Sequence, residues 1–359
     1  MAEFTLSTIR PDDKRSMRKL DALLGKEGIE RDRNLDYTVG LFDSDYRLAA
    51  TGSCFGNTLR CMAVDSDFPG EGLLNQVVSH LMDYEYERGI LDLFLYTKCS
   101  TALFFNSLGF YEIARVPERV VFMENRKNGF SSYLDGLCAE TARQAEEQGL
   151  SLPPEALQGA IVMNANPFTL GHRYLVEEAK KRCDLLHIFV VSEDASLVPF
   201  ADRFRLVREG CEGLPCVIFH ETESYMISSA TFPSYFLRDG DTVIRSHAAQ
   251  DISVFSRIAG KLGIRRRFAG EEPFSHVTAL YNRTMEEELP RAGLEFVQIP
   301  RRELNGTAIS ASRVRELTRG GRTEEIRPLV PETTYRYFTS EAGARTAERI
   351  RSAGGVVHY

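Results

Sequence analysis

No stretch of this chain approaches the run of about 18 apolar residues that crosses a membrane as a helix. The opening MAEFTLSTIRPDDKR likewise has no apolar core of a signal peptide. These absences lead to the expectation of a cytoplasmic protein with no membrane partner. The seven cysteines, Cys54, Cys61, Cys99, Cys138, Cys183, Cys211 and Cys216, are odd in number and form no Cys-x-x-Cys pair. That usage excludes a disulfide scaffold and fits reduced, mostly buried thiols. There is no low-complexity tract and no internal repeat, so disordered and fibrous classes fall away. Positive charge is not in excess either: 44 Lys and Arg face 51 Asp and Glu, for a net charge of −7. A nucleic acid as main partner is therefore not expected, although a local anion pocket is untouched by that argument.

What is present is enough apolar material for two cores: 359 residues, 43% of them hydrophobic and 26% charged. Between residues 37 and 123, several strand-like runs precede the first long helix, Leu73 to Glu87. That order predicts an α+β unit with a mixed sheet. Residues 132–149 have helical spacing, and Pro153 and Pro154 then stop any helix. We place a first domain at 1–130, a helical linker at 131–157 and a second domain at 158–359. After the boundary, apolar strands alternate with helices: GAIVM, a helix from Gly171 to Arg182, LLHIFVV, a helix over Asp202 to Glu209, then PCVIFH, RRRFAG and LEFVQIP. This rhythm predicts an α/β, Rossmann-like parallel sheet whose ligand site lies at the strands' carboxyl ends.

Two segments carry the chemistry. The first is Met163-Asn164-Ala165-Asn166-Pro167-Phe168-Thr169-Leu170-Gly171-His172, which leaves the first strand of the second domain and opens a helix. Backbone N–H groups and the helix dipole are available to an anion there. Thr169 and His172 lie three apart, close enough for both side chains to reach one phosphate. The plainer reading is an Asn-Pro turn, a Thr cap and a surface histidine. The second is Ile309-Ser310-Ala311-Ser312-Arg313-Val314-Arg315, a polar turn entering another helix. Hydroxyls and guanidiniums at a helix start suit triphosphate oxygens, and a Ser-capped surface helix is the plainer alternative.

Together the segments resemble the nucleotidyltransferase superfamily, with its T/H-x-G-H and I-S-x-S/T-x-x-R motifs. NPFTLGHRYLVEEA, followed by EDASLVPFADRFRLV, is closer still to the citrate lyase ligase family, over almost the whole chain. Members of that family carry an N-terminal acetyltransferase-like domain. Gly70-Glu71-Gly72 and the stretch Phe104 to Phe110 are similar to the Gcn5-related acetyltransferase (GNAT) fold. Asp67 and Glu71, however, place negative charge where that fold's loop binds the pyrophosphate of coenzyme A. The resemblance suggests that this domain recognises a CoA-like arm rather than acetylating by itself.

The resemblance implies an AMP-forming ligase. ATP, with Mg2+, and acetate give acetyl-AMP and pyrophosphate. The acetyl group then passes to the thiol of the CoA-like prosthetic group on the acyl carrier subunit of citrate lyase. Residue by residue, it implies that His172 donates to the α-phosphate and that Thr169 does so where many members have a first histidine. Ser310, Ser312 and Arg313 would grip the β- and γ-phosphates, and Asn164 and Asn166 would stand beside them. Met163, Ala165, Phe168, Gly171 and Ile309 complete the nucleotide-binding set. Arg203 is a candidate phosphate clamp, with a surface salt bridge as its alternative, and Gly270 and Glu271 are expected near the adenosine.

The hydroxyl-rich stretch Ser228 to Pro233 is a candidate cover for acetate or adenine, or only a loop. Ser192, Glu193, Asp194 and Asp202 are expected to face the same crevice. Glu271 and Glu272 read more simply as solvated charges. No dedicated metal cage is expected, because His172, His187 and His220 lack short ligand spacing. The competing reading is a cofactor-biosynthesis adenylyltransferase acting on phosphopantetheine or nicotinamide mononucleotide. A CoA-binding regulator with a dead nucleotide site is the third.

Overall fold

Asp13 begins the first helix by accepting the N–H groups of Arg15 and Ser16 at 3.0 and 3.2 Å, the arrangement by which a carboxylate satisfies orphan donors. The computed structural model describes all residues except 1–3, 33–34, 69–71, 194–195, 227–231, 233–239, 273–274, 305 and 354–359. The chain forms two compact units, one of residues 1–131 and 233–253, the other of 132–232 and 254–359.

In the first unit the elements run β1 (Thr5–Thr8), α1 (Lys14–Lys26), β2 (Tyr37–Phe42), β3 (Leu48–Phe55), β4 (Thr58–Val64), α2 (Leu73–Glu87), β5 (Phe94–Thr97), α3 (Ala102–Ser107), β6 (Tyr111–Val116) and β7 (Val120–Glu124). They build a seven-stranded sheet in the order β1-β2-β3-β4-β5-β7-β6. Every neighbouring pair is antiparallel except β4 and β5, which run parallel, with α2 as their crossover. This is a mixed-sheet α+β architecture, as the order of strands and helices between residues 37 and 123 predicts. Val77, Val78 and Leu81 of α2 pack on Val39, Leu41, Ala50 and Leu95.

The second unit begins in α4 (Gly129–Glu147) and continues through β8 (Gln158–Met163), α5 (Leu170–Lys180), β9 (Leu185–Val190), α6 (Phe200–Gly210), β10 (Val217–Glu221), the second half of α7 (Gly240–Leu262), whose residues up to 253 cluster with the first unit, then β11 (Ile264–Gly270), α8 (His276–Glu288) and β12 (Glu295–Ile299). A short hairpin, β13 (Glu303–Leu304) and β14 (Thr307–Ala308), precedes α9 (Ala311–Arg319), α10 (Glu332–Phe338) and α11 (Glu341–Ser352). The strands form a five-stranded, all-parallel sheet in the order β10-β9-β8-β11-β12. The chain therefore builds outward from β8 in one direction and then returns to build in the other. Helix N-termini diverge from the crevice between β8 and β11, where such sheets hold their ligands.

Residues 132–157, expected to be a linker, cluster with the second unit. The Gln144 side chain of α4 donates to Phe219 O at 2.7 Å and accepts from Phe219 N at 2.9 Å, while Gln148 donates to Val217 O. Side-chain amides thus satisfy the open backbone of edge strand β10, where an uncovered edge would invite foreign pairing. Among the described residues, no helix is long and apolar enough to cross a membrane, and all seven cysteines are free thiols.

Candidate active site

Strand β8 ends at Met163, and the segment that follows folds back across the carboxyl edge before α5 begins. Met163, Ala165 and Phe168 are buried in the core of the second unit, so only their backbone is open to a ligand. Asn166 is buried as well. Its Oδ1 accepts the N–H of Val198 at 3.0 Å, which turns Nδ2 the other way. Nδ2 has no hydrogen-bond partner. A buried donor left unmade costs about 1–3 kcal/mol, so Nδ2 is a donor available to a ligand at this helix entrance. Asn164 accepts from the Ser196 hydroxyl at 3.1 Å.

Thr169 caps α5, and the cap is reciprocal. The Thr169 hydroxyl accepts the His172 N–H at 3.3 Å, while Nδ1 of His172 reaches back to within 3.1 Å of the Thr169 N and 2.9 Å of its Oγ1. The His172 ring stacks on Phe168, with centroids 5.7 Å apart. Burial, with the charges of Arg301 and Arg315 adding to it, pushes the His172 pKa down to about 4. The imidazole is therefore neutral at physiological pH.

The second segment lies against the first. A Cβ placed on Gly171 would stand 2.8 Å from the backbone oxygen of Ile309, so the two segments touch at a point where only glycine fits. Ile309 is buried, and its N–H donates to Arg302 O at 3.0 Å. Ser310 caps α9 by accepting the Arg313 N–H at 3.2 Å. Arg315, from the first turns of that helix, donates to Asn166 O at 2.6 Å and to Ser312 Oγ at 3.0 Å. Arg313 instead lies exposed and pairs with Glu316 at 2.8 Å. The inward-turned guanidinium of this segment is thus Arg315. Counting the I-S-x-S/T-x-x-R spacing onward from Ile309 also ends at Arg315, a signal the assignment to Arg313 passed over.

Arg203 has neither of its expected roles as its main engagement. It is fully buried and donates to the backbone oxygens of Val198, Asn164, Val191 and Glu193 at 2.6–3.1 Å. A planar, five-donor fork there ties together the segments leaving β8 and β9. Asp202 accepts from Arg205 and from Tyr337. Ser192 accepts the Glu223 N–H, and Asp194 lies outside the described residues.

At the end of β11, Gly270 O accepts from Asn282 and the Glu271 N–H donates to Ile299 O. Glu272 is not solvated: it pairs with Arg301, which also donates to Glu271 O at 2.7 Å. Arg301 was missed because the Arg-Arg pair after β12 reads as ordinary surface charge. His187 and His220 stand elsewhere, buried and hydrogen-bonded to each other at 2.9 Å. Among the described residues, no three His, Cys, Asp or Glu gather as a metal site. Of Ser228 to Pro233 only Phe232 is described, and Gly70 and Glu71 also lie outside the described residues.

Comparison with known proteins adds a consistent set of relatives. The family model of the citrate lyase ligase C-terminal domain matches residues 158–338. The [citrate [pro-3S]-lyase] ligase of Klebsiella pneumoniae is 38% identical over 331 residues, covering 91% of this chain and 93% of that protein. Its counterpart from Escherichia coli K12 is 38% identical over 334 residues, covering 90% and 92%. Among solved structures, a GNAT-family acetyltransferase from Staphylococcus aureus covers 34% of this chain and 100% of its own at 14% identity and a TM-score of 0.29. The ribosomal-protein-S18-alanine N-acetyltransferase of Escherichia coli covers 34% and 92% at 19% identity and a TM-score of 0.27.

Proposed function

The chain belongs to the citrate lyase ligase family, and from that premise we propose that it activates citrate lyase by acetylation at the expense of ATP. The observation that carries this reading is the close approach of Gly171 to Ile309, with Arg315 bonded to Asn166 O. These contacts bring two segments far apart in sequence together, which supports reading them as one anion-binding edge.

Acetate is a poor acyl donor because its leaving group would be oxide. Attack of its carboxylate on the α-phosphorus of ATP forms acetyl-AMP and expels pyrophosphate. The thiol of the CoA-like group on the acyl carrier subunit then attacks the acetyl carbonyl, forming the thioester and releasing AMP. Two anions meet in the first step, so fixed donors around the phosphorus dominate the barrier. Neutral His172 donates to the α-phosphate. The buried Nδ2 of Asn166, unpartnered in the protein, and the N-termini of α5 and α9 fit the same charge. Mg2+ would accompany the triphosphate and supply charge neutralisation there, beside the donors of Asn166 and His172. Arg301 and Arg315 supply positive potential, and the reaction is cytoplasmic, where the free thiols stay reduced.

The test is acetate-dependent exchange of labelled pyrophosphate into ATP, followed by acetate-dependent activation of deacetylated citrate lyase. Both are expected, and His172→Ala lowers exchange by about 10² or more. Exchange that requires phosphopantetheine or nicotinamide mononucleotide instead of acetate would sink the reading, as would an unaltered rate in the variant.

A further inference from the structure

We propose that Thr169 is a positioning residue rather than a phosphate contact: its backbone N–H and its hydroxyl together hold His172 in the tautomer that carries its proton on Nε2. The argument turns on which atoms are able to donate. A backbone N–H only donates, and that of Thr169 lies 3.1 Å from Nδ1 of His172. Nδ1 must therefore offer a lone pair, and the ring proton sits on Nε2. The Thr169 hydroxyl lies 2.9 Å from the same Nδ1 while its oxygen accepts the His172 N–H at 3.3 Å. Because an unprotonated Nδ1 has no proton to give, the hydroxyl is the donor in the 2.9 Å contact and shares the single Nδ1 lone pair with the Thr169 N–H.

In the usual capping box a Glu or Gln at the third helical position reaches back to the cap. Here an imidazole makes that reach. The device that starts the helix thereby orients the ring, and stacking on Phe168 sets its plane. Thr169 is 1% exposed, which agrees with a hydroxyl spent inside the protein. The inference rests on the proposed function only for what Nε2–H meets. His172 then acts as a neutral hydrogen-bond donor at that atom, and no proton need leave the ring.

The tautomer is read directly by long-range 1H–15N correlation on the full-length chain labelled with 15N-histidine, with the His172 signals identified by their loss in His172→Gln. We expect an unprotonated Nδ1 and a protonated Nε2 from neutrality down to about pH 5. A ring protonated at Nδ1, or a mixture of the two forms, overturns the proposal without any variant of Thr169 or any substrate. In Thr169→Val the hydroxyl is lost while the backbone N–H stays. The kcat of acetate-dependent exchange then falls about tenfold, KM for ATP stays within about twofold, and Thr169→Ser restores kcat. A raised KM for ATP at unchanged kcat assigns the hydroxyl to the phosphates and overturns the proposal, as does a variant unchanged in both. Absence of exchange in the wild type defeats the proposed function and leaves the tautomer to be judged by the spectrum.

Discussion

Gly171 and Ile309, 138 positions apart in the sequence, meet so closely that a methyl group on the first would lie 2.8 Å from the carbonyl oxygen of the second. Both contacting partners are backbone, so neither yields cheaply. Alanine ordinarily favours a helix over glycine by about 1 kcal/mol, but overpacking of this kind costs about 1–3 kcal/mol. Gly171→Ala is therefore expected to lower the urea midpoint and to cut pyrophosphate exchange about tenfold or more. Gly136→Ala, in α4 where a Cβ meets nothing within 4 Å, provides the contrast and should leave stability unchanged or slightly raised.

The two arginines of the α9 entrance should separate cleanly. Arg315 is 7% exposed and bonds to Asn166 O and Ser312 Oγ. Replacing it with Met strands a buried carbonyl and removes a charge from beside His172. A stability loss of about 2–3 kcal/mol and an exchange rate lower by about 10² are expected. Arg313, in an exposed pair with Glu316, should cost no more than about 0.5 kcal/mol on conversion to Met. Equal losses of exchange in the two variants would contradict this division.

Much of the architecture was readable because burial and local pattern agree. GAIVM and LLHIFVV are runs of a strand buried on both faces, and they are β8 and β9. Leu73 to Glu87 coincides with α2. The long helix α7 was not foreseen. Its first half buries Ser246, His247, Gln250 and Asp251, so polar residues interrupt the apolar stripe by which such a helix is recognised. Strand β1 was missed because its four residues sit at the sheet edge with no buried alternation. Thr169, His172 and Ser310 were legible as helix starts, since capping is a local event. Which guanidinium turns inward was legible only by counting the motif spacing from Ile309 to Arg315, because as charges at a helix start Arg313 and Arg315 look alike. The carbonyls gathered by Arg203 come from segments after two different strands and leave no local trace.

The acid limb of stability follows from three depressed histidines. Burial lowers His172 to about 4 and His187 and His220 to about 3, with Arg301 and Arg315 adding to the first and His220 to the second. Each folded value lies below the usual 6.5 of an unfolded chain. Between those limits the unfolded state binds more protons, so stability rises with pH. The contribution is complete above about pH 6.5 and is lost as pH falls toward 4 and then 3. Urea midpoints measured from pH 7.5 to 4.5 should therefore decline, and His172→Gln should make the decline shallower. Titration of the His172 ring near 6.5 would contradict the burial argument.

Arg203 supplies the strictest separation between holding the loops and holding the nucleotide. Its guanidinium spans the carbonyls of Asn164, Val191, Glu193 and Val198. A lysine at that position keeps the charge but presents a compact ammonium that cannot reach four oxygens from one plane. Each stranded buried carbonyl costs about 1–3 kcal/mol, and the losses share one relaxation, so Arg203→Lys should lower stability by about 2–4 kcal/mol. The urea midpoint is expected to fall at an unchanged slope. KM for ATP should rise along with it, because the segment leading to Thr169 and His172 is anchored through Asn164. Were Arg203 instead a phosphate clamp, Arg203→Lys would keep its wild-type midpoint and lose only activity. The pair of measurements decides between a structural tie and a ligand.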